Sequence, residues 1–305
     1  GKKSRARPGG KERFMSNYVI ITDSTGDLSA ELVREMEVEV IPMEFTVGDK
    51  PYKNYPDNHD LSAQEFYARL RQGAAATTAQ VNVTTYVETA APFLQAGKDV
   101  LMLIFSSGLS GSFNSSCLAA EELRAKFPGR TVRTVDTLAA SMGEGLLVWH
   151  ACQLRKAGKT LDEVAAWAET NRNRLCHWFT VDDLHFLRRG GRVSGAAAVM
   201  GTMLNIKPVL HVDDEGHLIL MSKSRGRQGA MEALAAKMKE TVNDDVSDQM
   251  ILISHGDCLE DAEKLKAIVQ QVTGARHFML HTIGTVIGSH SGPGTLALFF
   301  LGKHR

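Results

Sequence analysis

Three short stretches of this 305-residue chain carry side chains that could hold or attack an anion. Ser106-Ser-Gly-Leu-Ser-Gly-Ser112 follows an apolar, strand-like run and opens a helix-like one. Hydroxyls and free backbone N–H groups at such a junction suit a carboxylate or a phosphate without any cation. Thr77-Thr-Ala-Gln80 is a second hydroxyl cluster, read as a loop between two helices. Gly284-Thr-Val-Ile-Gly-Ser-His290-Ser-Gly-Pro-Gly294 surrounds one histidine with four glycines and a proline. Loop backbone of that kind can approach a ligand closely, and an imidazole can donate to a carboxylate. Each stretch also has a plain reading: a capped helix start, a capped loop, a structural loop histidine.

Other chemistries find less support. A nucleophile elbow needs G-x-S-x-G, and Gly108-Leu-Ser110-Gly111 does not fit it. A serine/histidine hydrolase or acyl transferase remains as the alternative. It would need Ser110 and His290 within hydrogen-bond reach and an orienting carboxylate, for which Asp23 and Asp136 are the candidates. His185, His211 and His255 lack metal-ligand spacing, so no metal is expected. Cys117, Cys152, Cys176 and Cys258 form no C-x-x-C pair and read as small buried hydrophobes in a reducing cytoplasm. Basic groups gather at Arg188, Arg189, Arg192, Lys207, Lys223, Arg225 and Arg227, as a solvated face or a docking patch for a phosphate-bearing partner. The uncharged segment 193–204, with Met200, Met203 and Leu204, is either core or the wall of an apolar cavity.

The elements that must position these groups alternate along the first half. Strand signals fall at 18–22, 38–42, 100–105 and 131–136, and helix signals at 28–37, 63–71, 84–96, 111–126 and 141–157. Ser62 with Glu65 is a capping-box signature for the second helix. Such alternation predicts βαβ units and a mostly parallel sheet. After a helix over 161–173, a strand is expected over 176–181. A hairpin is expected from 207–212 and 217–222, around Asp213-Asp-Glu-Gly216. Helix, strand, helix, strand and strand follow at 232–242, 250–254, 259–272, 277–282 and 294–302. The expectation is two α/β domains, an N-terminal one (15–165) with a mostly parallel sheet flanked by helices and a C-terminal mixed one (166–305). A disordered basic tail (1–14) precedes them.

Composition bounds the partners. The chain is 43% hydrophobic and has 35 basic and 35 acidic side chains, so its formal charge is zero. Residues 1–13 hold six basic groups and one acid, which leaves 29 basic against 34 acidic groups in the body. No global basic field for nucleic acid is present, and a nucleic-acid role would have to use the tail. No apolar run is long enough to predict a membrane span.

Seven motifs occur together in one order. They are Thr22-Asp-Ser-Thr-Gly-Asp-Leu28; Ser106-Ser-Gly-Leu-Ser-Gly-Ser-Phe113; Asp136 with Ser141-Met-Gly-Glu-Gly145; Asp183-Leu-His-Phe-Leu-Arg-Arg-Gly-Gly-Arg192; Leu204-Asn-Ile-Lys-Pro208; Lys223-Ser-Arg225; and His290-Ser-Gly-Pro-Gly294. With them the chain resembles the DegV family of bacterial fatty-acid-binding proteins. The resemblance implies two α/β domains with one long-chain fatty acid buried between them, and no further cofactor. It implies a protein without catalysis of its own that presents the carboxylate, as some members do, to a fatty-acid kinase. It places Thr78, Ser110 and Gly111 at the carboxylate with His290 in the same network. It places Arg192, Met203, Leu204 and Arg225 at the acyl tunnel or a docking face. The chain departs from the family pattern at Thr78-Ala-Gln-Val-Asn82, where Ala79 removes a hydroxyl and Val81 replaces a proline.

Overall fold

The computed structural model describes residues 17–193, 205–242 and 245–305. Its first sheet has the order β2-β1-β6-β7, with every pair parallel. The strands are β1 (Tyr18–Asp23), β2 (Glu39–Ile41), β6 (Asp99–Ile104) and β7 (Val132–Asp136). Their side chains alternate between two cores, as strand geometry requires. Ile20, Leu101 and Leu103 face α1 (Ala30–Met36), α5 (Met142–Lys156) and α6 (Leu161–Asn171). Val19, Ile21, Val100, Met102 and Ile104 face α3 (Val83–Gln95) and α4 (Ser112–Lys126). Chain order reverses between β1 and β6, and the carboxyl ends at such a switch point form a crevice where ligands bind in open α/β sheets.

Helix starts follow local chemistry. Ser29, Ser62, Asn82 and Thr160 each accept a backbone N–H with the side-chain oxygen, satisfying an otherwise orphan donor. The box expected at Ser62 is only half formed. Ser62 Oγ accepts from Glu65 N, but the Glu65 carboxylate turns to Arg69 at 2.7 Å. A full box forms instead at Thr160 and Glu163.

The sequence reading passes over a second sheet. β3 (Met43–Val47), β4 (Lys50–Asn54) and β5 (Ala76–Ala79) form an antiparallel unit of order β4-β3-β5, with α2 (Ala63–Arg71) between β4 and β5. The stretch Thr77–Gln80, read above as a loop, is therefore mostly strand, with Thr78 paired to Phe45.

The third sheet has the order β10-β9-β8-β13-β11-β12 and is antiparallel except for the β11–β12 pair. Its strands are β8 (Leu175–Thr180), β9 (Ile206–Val212), β10 (Leu218–Arg225), β11 (Met250–His255), β12 (His277–Thr282) and β13 (Leu296–Leu301). The expected hairpin is β9–β10, closed by Gly216 N donating to Asp213 O at 3.0 Å. α7 (His185–Arg189) follows β8, while α8 (Gly226–Thr241) and α9 (Leu259–Thr273) cover one face. α8 starts six residues before its expected position. The other face meets α5, so Leu146 shares a core with both Leu103 and Phe299. A last helix, α10 (Thr285–Ser291), lies in the glycine-rich stretch read as a loop. The fold is thus a mixed α/β arrangement of a parallel sheet and a separate mixed sheet. Among the described residues no helix is long and apolar enough to cross a membrane. Cys152 and Cys176 are buried as expected, but Cys117 and Cys258 are only partly so.

Candidate functional site

A cavity of about 240 Å³ opens where the two halves meet. From the N-terminal half come Met43, Thr78, Gln80 and the turn after β6 with Phe105, Leu109, Ser110 and Gly111. From the other half come Phe179 and Phe299 of the mixed sheet, Leu187 of α7, Arg192, and Val286, Ile287 and His290 of α10. The wall is mostly apolar, so an occupant must be mostly apolar as well.

The polar groups are held together by direct contacts. Thr78 Oγ1 lies 2.7 Å from His290 Nε2. Ser112 Oγ accepts from Val81 N at 3.0 Å and lies 3.0 Å from Ser110 Oγ. Ser112 N donates to Ser110 Oγ at 3.1 Å. Either hydroxyl can donate in the Ser110–Ser112 contact, and when Ser112 Oγ donates the Ser110 proton is free to point into the cavity. Gln80 packs its side-chain amide directly against Gly111, so a Cβ there would have to displace that amide. The end of β5 and the start of α4 are thereby in contact.

The imidazole of His290 is neutral at ordinary pH. Burial, with Arg192 beside it, pushes its pKa down to about 4. Its Nδ1 has no hydrogen-bond partner among the described residues and faces Gly190, where a Cβ would come within 2.5 Å. Arg192 donates from Nε to Leu109 O at 3.3 Å and from Nη1 to Gly190 O at 2.5 Å. Gly190 thus gives the histidine space, while Gly191 supplies the left-handed turn at φ +72° that leads to Arg192.

The structure brings Thr78, Ser110, Gly111, Arg192 and His290 to one cavity. Arg225 is exposed at the end of β10 and is not in the lining. Met203 and Leu204 lie outside the described residues. The basic cluster is partly neutralised: Arg227 pairs with Asp182 at 3.2 Å and Asp261 at 2.8 Å, and Lys207 pairs with Asp182 at 3.4 Å.

The hydrolase alternative is not favoured by this geometry. His290 engages Thr78, whereas Ser110 engages Ser112. Asp23 accepts from Thr25 N and Phe105 N, and Asp136 from Ser107 N and Leu138 N, so neither orients the histidine. Among the described residues, no group of three or more His, Cys, Asp or Glu stands close enough to hold a metal.

Sequence reasoning missed several residues here. Ser141, His177 and Thr295 also line the cavity. His177 Nε2 accepts from Ala140 N at 3.2 Å, and burial holds its pKa well below the usual range. His177 and Phe179 are two apart on β8 and share a face, which period-two counting could have found. The hairpin tip also reaches the site, with Ser106 Oγ donating to Gly216 O at 2.8 Å. No local signal announces that contact.

Known proteins are similar to this chain in sequence and in fold. The family model described as "Uncharacterised protein, DegV family" matches residues 17–303. The chain is similar to a DegV domain-containing protein of Clostridium perfringens, 41% identical over 288 residues that span 94% of this chain and 98% of the relative. It is similar in structure to a DegV family protein from Thermus thermophilus described for fatty-acid binding, with a TM-score of 0.83, 31% identity, and coverage of 94% and 99%. It is also similar to a DegV lipid-binding protein from Thermotoga maritima, with a TM-score of 0.83, 27% identity, and coverage of 95% and 100%. A family match along nearly the whole described chain, joined to that identity with the Clostridium relative, means that this chain belongs to the DegV family.

Proposed function

We propose that this protein binds one long-chain fatty acid in the cavity between its two halves, with the acyl chain against the apolar wall. The carboxylate is received by Thr78, Ser110 and the Gly111 backbone, with His290 fixing Thr78. The observation that carries this reading is an apolar cavity into which two separately held neutral groups open, the Thr78–His290 pair and Ser110 held by Ser112. Relatives of similar fold described as binding fatty acids or lipid support it.

The energetics are adequate. Burying a methylene contributes about 0.8 kcal/mol, so roughly fourteen contribute on the order of 11 kcal/mol before ordering and translational losses. The head group need only be satisfied, because an unpaired buried carboxylate would cancel the gain of the tail. Hydroxyl and amide donors meet that need, and they leave the carboxylate oxygens chemically unaltered.

On this reading the protein has no chemistry of its own. It carries the acid in the cytoplasm and presents the carboxylate to a separate kinase, with Arg192 and Arg225 nearest that docking face. Native mass spectrometry of gently purified protein tests the binding. An acyl mass is expected, or a complex on adding palmitate or oleate; the absence of both refutes the reading. Ser110→Ala is expected to weaken palmitate binding, and an unchanged Kd removes Ser110 from the head-group site. Ester turnover that Ser110→Ala abolishes would instead establish the hydrolase.

A further inference from the structure

Two hydrogen bonds cross between the halves to the start of α10, one to its N-cap residue Gly284 and one to Val286. Gly284 N donates to Asp27 Oδ1 at 3.0 Å, and Val286 N reaches Asn54 Oδ1 at 3.4 Å. Asp27 comes from the turn after β1, and Asn54 ends β4. The fit is close: a Cβ on Gly284 would stand 2.6 Å from Asp27 Oδ1 and 2.9 Å from Asn54 Oδ1. The helix seated this way carries Val286, Ile287 and His290 into the cavity wall.

The second oxygen of Asp27 continues the chain of contacts. Ser141 Oγ donates to Asp27 Oδ2 at 2.6 Å and lies 3.0 Å from Ser254 Oγ on β11. Ser141 lines the cavity and is held at φ +52°, a conformation that a serine adopts only when its surroundings impose it. Asp27 therefore stands where the N-terminal half meets both α10 and the mixed sheet.

Asp27 as a residue is 5% exposed. Asp23 faces it from the end of β1, Tyr67 from α2, and Glu144 of α5 lies beyond Asp23. Burial and Asp23 push Asp27 up to about 7, against the pull of the Ser141 and Gly284 hydrogen bonds. Ionised, it accepts from both Ser141 and Gly284. Protonated on Oδ2, it must donate to Ser141, which then turns its own proton to Ser254. The bond from Gly284 survives that exchange but loses its charge assistance, which makes such bonds roughly twice as strong.

We propose that Asp27 is a positioning residue for the cavity: reaching across from the N-terminal half, its carboxylate seats α10 so that Val286, Ile287 and His290 line the acyl site. The functional part rests on the fatty-acid reading above; the seating of α10 does not.

The test follows the Gly284 and Val286 amides by NMR in the full chain, alongside palmitate titration. In the unmodified protein the Gly284 amide shift is expected to titrate with a midpoint near the Asp27 value of about 7. In Asp27→Asn the Gly284 resonance should move upfield and cease to titrate, and palmitate Kd should rise about fivefold or more. A Gly284 shift that the substitution leaves in place overturns the seating, and a shift that does not titrate in the unmodified protein overturns only the raised Asp27 value. An altered amide with unchanged Kd overturns the link to the ligand. Unmodified protein that binds no palmitate sinks the fatty-acid reading instead, while the Gly284 shift on Asp27→Asn still decides the seating. If Asp27→Asn does not fold, Asp27→Ser replaces it: a shifted Gly284 amide with weaker palmitate binding supports the proposal, and an unmoved amide or an unchanged Kd overturns it.

Discussion

Replacing Thr78 with valine removes one oxygen and almost nothing else. Valine keeps the β-branched shape, and the β5 ladder opposite Phe45 uses backbone groups only. What is lost is the 2.7 Å contact with His290 Nε2. The other ring nitrogen already lacks a partner among the described residues, so Thr78→Val leaves a buried imidazole with neither nitrogen paired. Because the ring is neutral at ordinary pH, the loss is that of a neutral hydrogen bond plus an unsatisfied polar atom, about 1–3 kcal/mol. That loss falls on the free and bound protein alike and lowers the melting temperature, whereas a carboxylate accepting from the same hydroxyl loses a further hydrogen bond of about 1–3 kcal/mol in the complex alone. Palmitate Kd is then expected to rise roughly 5- to 150-fold, at 1.4 kcal/mol per decade. The assay is displacement of a fluorescent fatty acid, read with thermal melts of the free protein. Thr78→Ser, which restores the oxygen, should recover most of the affinity. A valine variant that binds palmitate within about twofold of the parent would refute the hydroxyl's role, and a serine variant as weak as valine would refute the hydrogen-bond argument.

Gly288→Ala should destabilise the fold by about 1–3 kcal/mol, visible in thermal melts, since its Cβ would lie 2.4 Å from Tyr67 Oη and 2.9 Å from Phe66 Cε1, both fully buried. An unchanged melting temperature would mean that α10 and α2 are not tightly packed. His150 has its pKa pushed down to about 4 by burial, so the unfolded chain binds a proton there that the fold refuses, and stability at this site drops as pH falls from about 6.5 to about 4. His150→Gln should therefore lose less stability than the parent over that range, by at most about 1.4 kcal/mol per pH unit, and parallel pH profiles would exclude the effect. Asp27 has the opposite sign: its folded value of about 7 lies above the unfolded one, so it costs stability as pH rises from about 4 to about 7. Asp27→Asn should gain on the parent over that interval in urea melts, and a constant difference would contradict the raised value.

Much of the fold was legible because its signals are local. The helix expected over 63–71 matches Ala63–Arg71, where Ser62 caps the first turn and Phe66 and Leu70 recur at helical spacing. The motif-bearing turn after β6 was legible too, since a buried strand followed by glycines and hydroxyls has few other uses. The β3–β4 hairpin was also there to be found. Met43, Phe45 and Val47 alternate with polar residues, and Gly48-Asp49 separates the strands. β5 was not: four residues with two threonines and no apolar alternation become a strand only because β3 offers an edge. α10 was hidden by its own glycines. Gly288 weakens helix propensity locally, but Tyr67 and Phe66 leave no space for anything larger, so packing overrides propensity. The ion pairs of Arg227 were invisible for the same reason, since Asp182 and Asp261 are distant in sequence.

Three acids are buried without cations at the carboxyl end of the parallel sheet, and one of them, Asp27, reaches across to the other half. Asp23, Asp27 and Glu144 are all shielded from water, and burial raises the pKa of each. Thr25 Oγ1 donates to Asp23 and contacts Glu144 Oε1 at 2.9 Å, while Thr22 Oγ1 lies 3.1 Å from Glu144 Oε2. A core built for stability alone would do as well or better with apolar groups of the same volume. What the acids supply is direction. Asp23 accepts from Phe105 N and so ties the end of β1 to the backbone that leads into the Ser106–Ser112 turn. Asp27 does the same for α10. The cavity belongs to neither half, because its hydroxyls come from β5 and the turn after β6 and its histidine from α10. The distance between those groups is therefore set by contacts made at the seam. A substitution there can alter the ligand site without touching the ligand, which is why Asp27 rather than a lining residue separates positioning from packing.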